Sequence, residues 1–112
     1  MDNLKQLTEK ILQFREDRDW KKFHNPKDLA LSLSLEASEL LENFQWKTSD
    51  EAIEKNLENM KDELADILIY SILFANETGI NIGEAIEKKI IKNGEKYRVE
   101  KAYGSSVKST EY

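Results

Sequence analysis

Apolar side chains recur along this chain at steps of three and four. In the first segment Leu4, Leu7, Ile11 and Phe14 do so, with Lys5, Glu9, Lys10, Gln13 and Arg15 between them. That spacing predicts an amphipathic helix ending near Asp19. Residues 20–25 lack the period, and Asn25-Pro26 then reads as an N-cap followed by proline at the first helical position, with Asp28 in the first turn. The window from Leu29 to Leu35 alternates apolar and small polar residues, and in isolation it matches a strand. The cap in front, the unbroken continuation to Phe44 and the spacing of Leu29, Leu33, Leu40 and Phe44 predict a helix instead. Leu31 and Leu35 widen its apolar surface, so this helix needs cover on several sides, from its own chain or from a second subunit.

Thr48-Ser49-Asp50-Glu51 is the next cap signal, after which Ile53, Leu57, Met60, Leu64, Leu68 and Ile72 line a third helix running to about Asn76. Gly79 suits the left-handed residue that ends such a helix. Asn81 caps a fourth helix through Ile82, Ala85, Ile86 and Ile90, weakened at Gly94 before Tyr97. No repeat or Pro/Gly linker interrupts the pattern. The expectation is an all-α, four-helix bundle-like, oligomeric domain over residues 1–100, followed by a polar C-terminal tail over residues 101–112.

Composition narrows the chemistry. The 112 residues suffice for one domain, and 39% hydrophobic against 35% charged residues, with 4 Gly and 1 Pro, suits helices. There is no cysteine and one histidine, which excludes disulfides, Cys-based zinc sites and multi-His metal sites; any metal must sit on oxygen. A net charge of −5 argues against nucleic acid and against a polybasic membrane surface as partners. The N-terminal segment carries charges throughout and no apolar run approaches ~18 residues, so a cytoplasmic protein is expected.

Against this background two carboxylate pairs stand out. Glu36 and Glu39 are spaced i,i+3 on the second helix, and Glu63 and Asp66 are spaced i,i+3 on the third, so each pair projects from one side of its helix. Both pairs lie beside apolar stripes. Side by side, the two helices would converge four carboxylates whose mutual repulsion and desolvation a divalent cation relieves. Oxygen-only ligation suits Mg²⁺ or Mn²⁺, and Mg²⁺ commonly shares its shell with waters and substrate phosphates.

At these residues the chain resembles the MazG-like all-α nucleoside triphosphate pyrophosphohydrolases, whose signature is Glu-x-x-Glu on one helix and Glu-x-x-Asp on the next. The resemblance is closest to the dCTP pyrophosphatase branch, in Arg18-Asp19-Trp20, Phe23-His24 and Phe44-Gln45-Trp46-Lys47, and it covers about residues 14–97. It implies Mg²⁺, with Mn²⁺ as substitute, held by Glu36, Glu39, Glu63 and Asp66 as the catalytic group. It further implies base or sugar contacts from Trp20, His24, Trp46 and Tyr70, and phosphate contacts from Lys47, Asn93 and Lys96. The implied substrate is a nucleoside triphosphate, dCTP or a modified dCTP, and the implied assembly is a homodimer or a homotetramer. The chain departs from the family in having Arg98 after Lys96-Tyr97, where proline is common.

Three other readings compete. A di-iron carboxylate bundle wants Glu-x-x-His pairs, and His24 lies outside both motifs. A non-catalytic helical dimerisation module would use its carboxylates only for solubility. A nucleic-acid-binding helical protein lacks the basic face it would need.

Overall fold

The computed structural model describes residues 3–106, and among them every regular element is helical. They are α1 (Asn3–Asp17), α2 (Pro26–Glu42), α3 (Ser49–Thr78), α4 (Ile82–Lys96) and α5 (Val99–Ala102), with one 3₁₀ turn at Lys21–Phe23. The chain divides at Gly79/Ile80 into two compact units. Residues 107–112 of the expected tail lie outside the described residues.

The helix boundaries follow from local chemistry. Asn25 Oδ1 accepts the Asp28 amide at 2.9 Å and Pro26 opens α2, so the Leu29–Leu35 window is helical despite its alternation. A strand there would leave that cap unused. Thr48 and Glu51 form a reciprocal capping box, with Glu51 N donating to Thr48 Oγ1 at 3.2 Å and Thr48 N to Glu51 Oε1 at 3.4 Å. Gly79 closes α3 at φ 72°, and Asn81 Oδ1 accepts the Glu84 amide at 3.0 Å to open α4. Gly94 does not interrupt α4, which continues to Lys96. The short α5 was not expected, because four residues are too few to display a period.

In the first unit α2 packs antiparallel along α3, and α1 packs on α3. Leu29 of α2 and Ala52, Met60, Ile72, Leu73 and Ala75 of α3 form the buried apolar core. The face of α1 turned inward is rotated from the one its leucines suggest. Leu4, Thr8, Ile11 and Leu12 are half-buried and Arg15 is buried, whereas Leu7 and Phe14 are exposed. Arg15 Nη1 donates to Glu77 Oε1 across 62 residues at 2.5 Å, tying α1 to the end of α3. Phe14 instead meets Trp20 edge-on, with ring centroids 5.9 Å apart, beneath the Arg18 guanidinium 3.6 Å from the Phe14 centroid.

The stripe predicted for α3 is only partly buried. Met60 and Ile72 are, but Ile53, Leu57, Leu64 and Leu68 are exposed, as are Leu31 and Leu35 of α2.

Candidate active site

Because α2 and α3 run antiparallel, the two carboxylate pairs meet across their seam. Glu36, Glu39 and Glu63 each bring an oxygen within 4.8 Å of the others. Glu36 and Glu63 are half-buried, and Oε2 of each is buried with no hydrogen-bond partner. Among the described residues no ion pair engages any of the four acids.

Crowded carboxyls hold their protons. Burial, then proton-sharing with Glu39 and Glu63, then the charges of Glu39 and Asp66 push Glu36 up to about 7. Burial also raises Glu63, aided by Glu39 and Asp66 and opposed by Glu36. Asp66 therefore belongs to the cluster electrostatically, although its oxygens stand outside the closest trio. Two buried, partnerless carboxylate oxygens in an all-oxygen donor set fit a hard divalent cation, which would replace the shared proton and satisfy both.

Asp66 also lines a cavity of about 350 Å³ between α1, the 3₁₀ turn and α3. Its walls include Ile11, Phe14, Arg15, Trp20, His24, Ile69 and Tyr70. Apolar and aromatic walls with a few polar groups are the usual make-up of a small-molecule site. His24 Nδ1 is buried without a partner, and burial first, then the nearby Arg15 charge, lower the His24 pKa while Glu77 opposes them. The imidazole is therefore neutral near pH 7, able to give one hydrogen bond and take another. On the other side of the carboxylates a polar cavity of about 400 Å³ is lined by Glu39, Glu42, Asn43, Asn56, Asn59 and Glu63. The acids thus stand between an aromatic recess and a polar one.

Of the residues singled out from sequence, Glu36, Glu39 and Glu63 come together, Asp66 reaches Glu36 and Glu63 through its charge, and Trp20, His24 and Tyr70 share the cavity that Asp66 borders. Trp46 does not line that cavity; it is 92% exposed in a turn, at φ 62°, with half-buried Lys47 beside it. Asn93 and Lys96 are exposed on α4, in the second unit. Sequence reasoning missed Arg15, whose signal was present: it follows Leu4, Thr8 and Ile11 at steps of four, three and four. A charged residue on an inward-facing helical stripe asks for a buried partner. It also missed Asn43, only 6% exposed, although it follows Leu33, Glu36 and Leu40 at steps of three, four and three.

Comparison with known proteins supplies a family for this fold. The MazG-like family model matches residues 31–111. The chain is 35% identical to dCTP pyrophosphatase 1 of Mus musculus and 36% identical to that of Homo sapiens, in each case over 88% of this chain and 61% of the relative. It thus spans about three fifths of the length of these curated relatives. A crystal structure of a pyrophosphatase from Archaeoglobus fulgidus superposes with a TM-score of 0.82 at 39% identity, covering 88% of this chain and 94% of that one. With the family model matching well over half of the chain, and both carboxylate pairs meeting on facing helices, this protein belongs to the MazG-like family.

Proposed function

We propose that the chain is a magnesium-dependent nucleoside triphosphate pyrophosphohydrolase that converts dCTP or a modified dCTP to the monophosphate and pyrophosphate. The observation that carries this reading is the convergence of carboxylates with partnerless buried oxygens beside a cavity walled by aromatic rings. The names of the relatives support the same reaction.

Glu36, Glu39, Glu63 and Asp66 hold Mg²⁺, with Mn²⁺ as substitute. Bound there, the ion supplies positive charge against the triphosphate oxygens and lowers the pKa of the attacking water. Trp20 and Tyr70 stack on the base, and neutral His24 gives a hydrogen bond to base or sugar. Asp66, bordering the aromatic cavity, sets the distance between the bound nucleoside and the other acids. Trp46, as a base contact, and Lys47, Asn93 and Lys96, as phosphate contacts, are assigned on the family resemblance alone. The stripe of exposed Ile53, Leu57, Leu64 and Leu68 on α3, together with Leu31 and Leu35 on α2, supports a homodimer or homotetramer. The role is cytoplasmic house-cleaning of the nucleotide pool.

The test is pyrophosphate release from a panel of dNTPs and NTPs plus 5-methyl-dCTP, with magnesium and with excess chelator. Magnesium-dependent release greatest with dCTP or 5-methyl-dCTP is expected. Release from other bases instead would overturn the substrate assignment but keep the reaction. No release from any would leave a non-catalytic helical dimerisation module as the better reading.

A further inference from the structure

Outside the ligands themselves, one polar network in the α2–α3 seam bears on how the acids meet. Asn43, at the C-terminal end of α2, is buried and fully hydrogen-bonded. Its Nδ2 donates back to the carbonyls of Glu39 at 3.3 Å and Leu40 at 3.2 Å, which orients the amide. Its Oδ1 accepts Asn59 Nδ2 from α3 at 2.8 Å, and its carbonyl accepts Asn56 Nδ2 at 2.9 Å. Resting on the reading that the carboxylates hold a divalent ion, we infer that the Asn43–Asn59 hydrogen bond pins the register of α2 against α3, making both asparagines positioning residues for the metal centre.

The register follows from antiparallel packing. One turn back along α2 from Asn43 is Glu39, and one turn forward along α3 from Asn59 is Glu63. Seven residues in the same directions reach Glu36 and Asp66. One pinned contact therefore brings both carboxylate pairs opposite each other. Apolar side chains in a helix seam tolerate sliding, whereas the hydrogen bond from exposed Asn59 to the buried Asn43 amide is made at one register only. A slip by a single residue moves one helix about 1.5 Å along the other, while ligand distances in a metal site are held to about 0.2 Å. Both asparagines also line the polar cavity next to Glu39 and Glu63, so the pin sits beside the acids it aligns.

The experiment is Mn²⁺ titration followed by electron paramagnetic resonance, well below the melting temperature, on the wild type and three variants. Asn59→Leu removes the donor at an exposed position, so it opens no cavity. The double variant Asn43→Leu/Asn59→Leu leaves no unpaired buried amide and guards against misfolding of the single one. Thr48→Ala weakens the start of α3 without touching the pin. Loss of Mn²⁺ affinity by about 10- to 100-fold in both asparagine variants, with Thr48→Ala binding as the wild type does, is the expected result. Wild-type affinity in a double variant whose helix content by circular dichroism is unchanged overturns the inference. A wild type that binds no Mn²⁺ overturns the metal reading beneath it, a distinct failure that the variants are not needed to detect.

Discussion

Glu63 is the residue on which the proposed chemistry most depends, since it sits in the closest carboxylate trio with a buried oxygen that has no partner. Glu63→Gln keeps size and shape, so circular dichroism should be unchanged while kcat falls by more than ~100-fold. Glu36 makes the site pH-dependent. It keeps its proton to about pH 7 in the folded chain, against 4.5 when free of its neighbours. The folded state therefore binds more protons between those values, and the metal-free protein loses stability as pH rises from about 4.5 to about 7. Because a cation must displace that proton, Mg²⁺ affinity should climb over the same interval and level off above it, with melting temperatures at each pH, with and without Mg²⁺, as the check. The i,i+3 spacing made all four acids legible in the sequence. Their shifted protonation was not, because it depends on how deeply the seam buries each oxygen.

At the scale of the element, α1 is attached through a buried charge. Arg15→Met strands the Glu77 carboxylate and should cost about 3–5 kcal/mol in urea unfolding, much of it recovered in Arg15→Met/Glu77→Met. With the neighbouring positive charge gone, His24 should titrate at higher pH in Arg15→Met, which NMR of its imidazole would show. Gly79→Ala tests the end of α3. No atom lies within 4 Å of the added Cβ, but φ 72° is strained for alanine, so the loss should be about 1 kcal/mol from backbone alone. Elements were the most readable level, because caps act within four residues. Asn25, Thr48 and Asn81 each marked a start and Gly79 an end. The inward face of α1 was misjudged, because leucine spacing alone does not reveal that Glu77 awaits an arginine.

For the whole molecule, the exposed apolar stripe on α3 predicts association. Leu64→Glu/Leu68→Glu places two charges in that stripe, and light scattering coupled to size exclusion should show a smaller particle than the wild type. A wild type already monomeric at micromolar concentration would refute the proposed assembly. No helix among the described residues is long and apolar enough to cross a membrane.

Local and periodic information in the sequence determined the four longer helices, their caps, the all-α class and the oxygen-only character of the candidate metal site. It did so because capping, 3.6-residue periodicity and the absence of cysteine act on neighbouring residues or on composition alone. Tertiary structure decided which apolar positions are covered, that Arg15 belongs inside, that Asp66 faces an aromatic cavity as well as the other acids, and that Asn43 meets Asn59. Those depend on which helix lies against which, and in what register. Because the partners in these contacts stand 16 to 62 positions apart, a period can mark a residue as inward-facing, as it does Arg15, but cannot name what that residue meets.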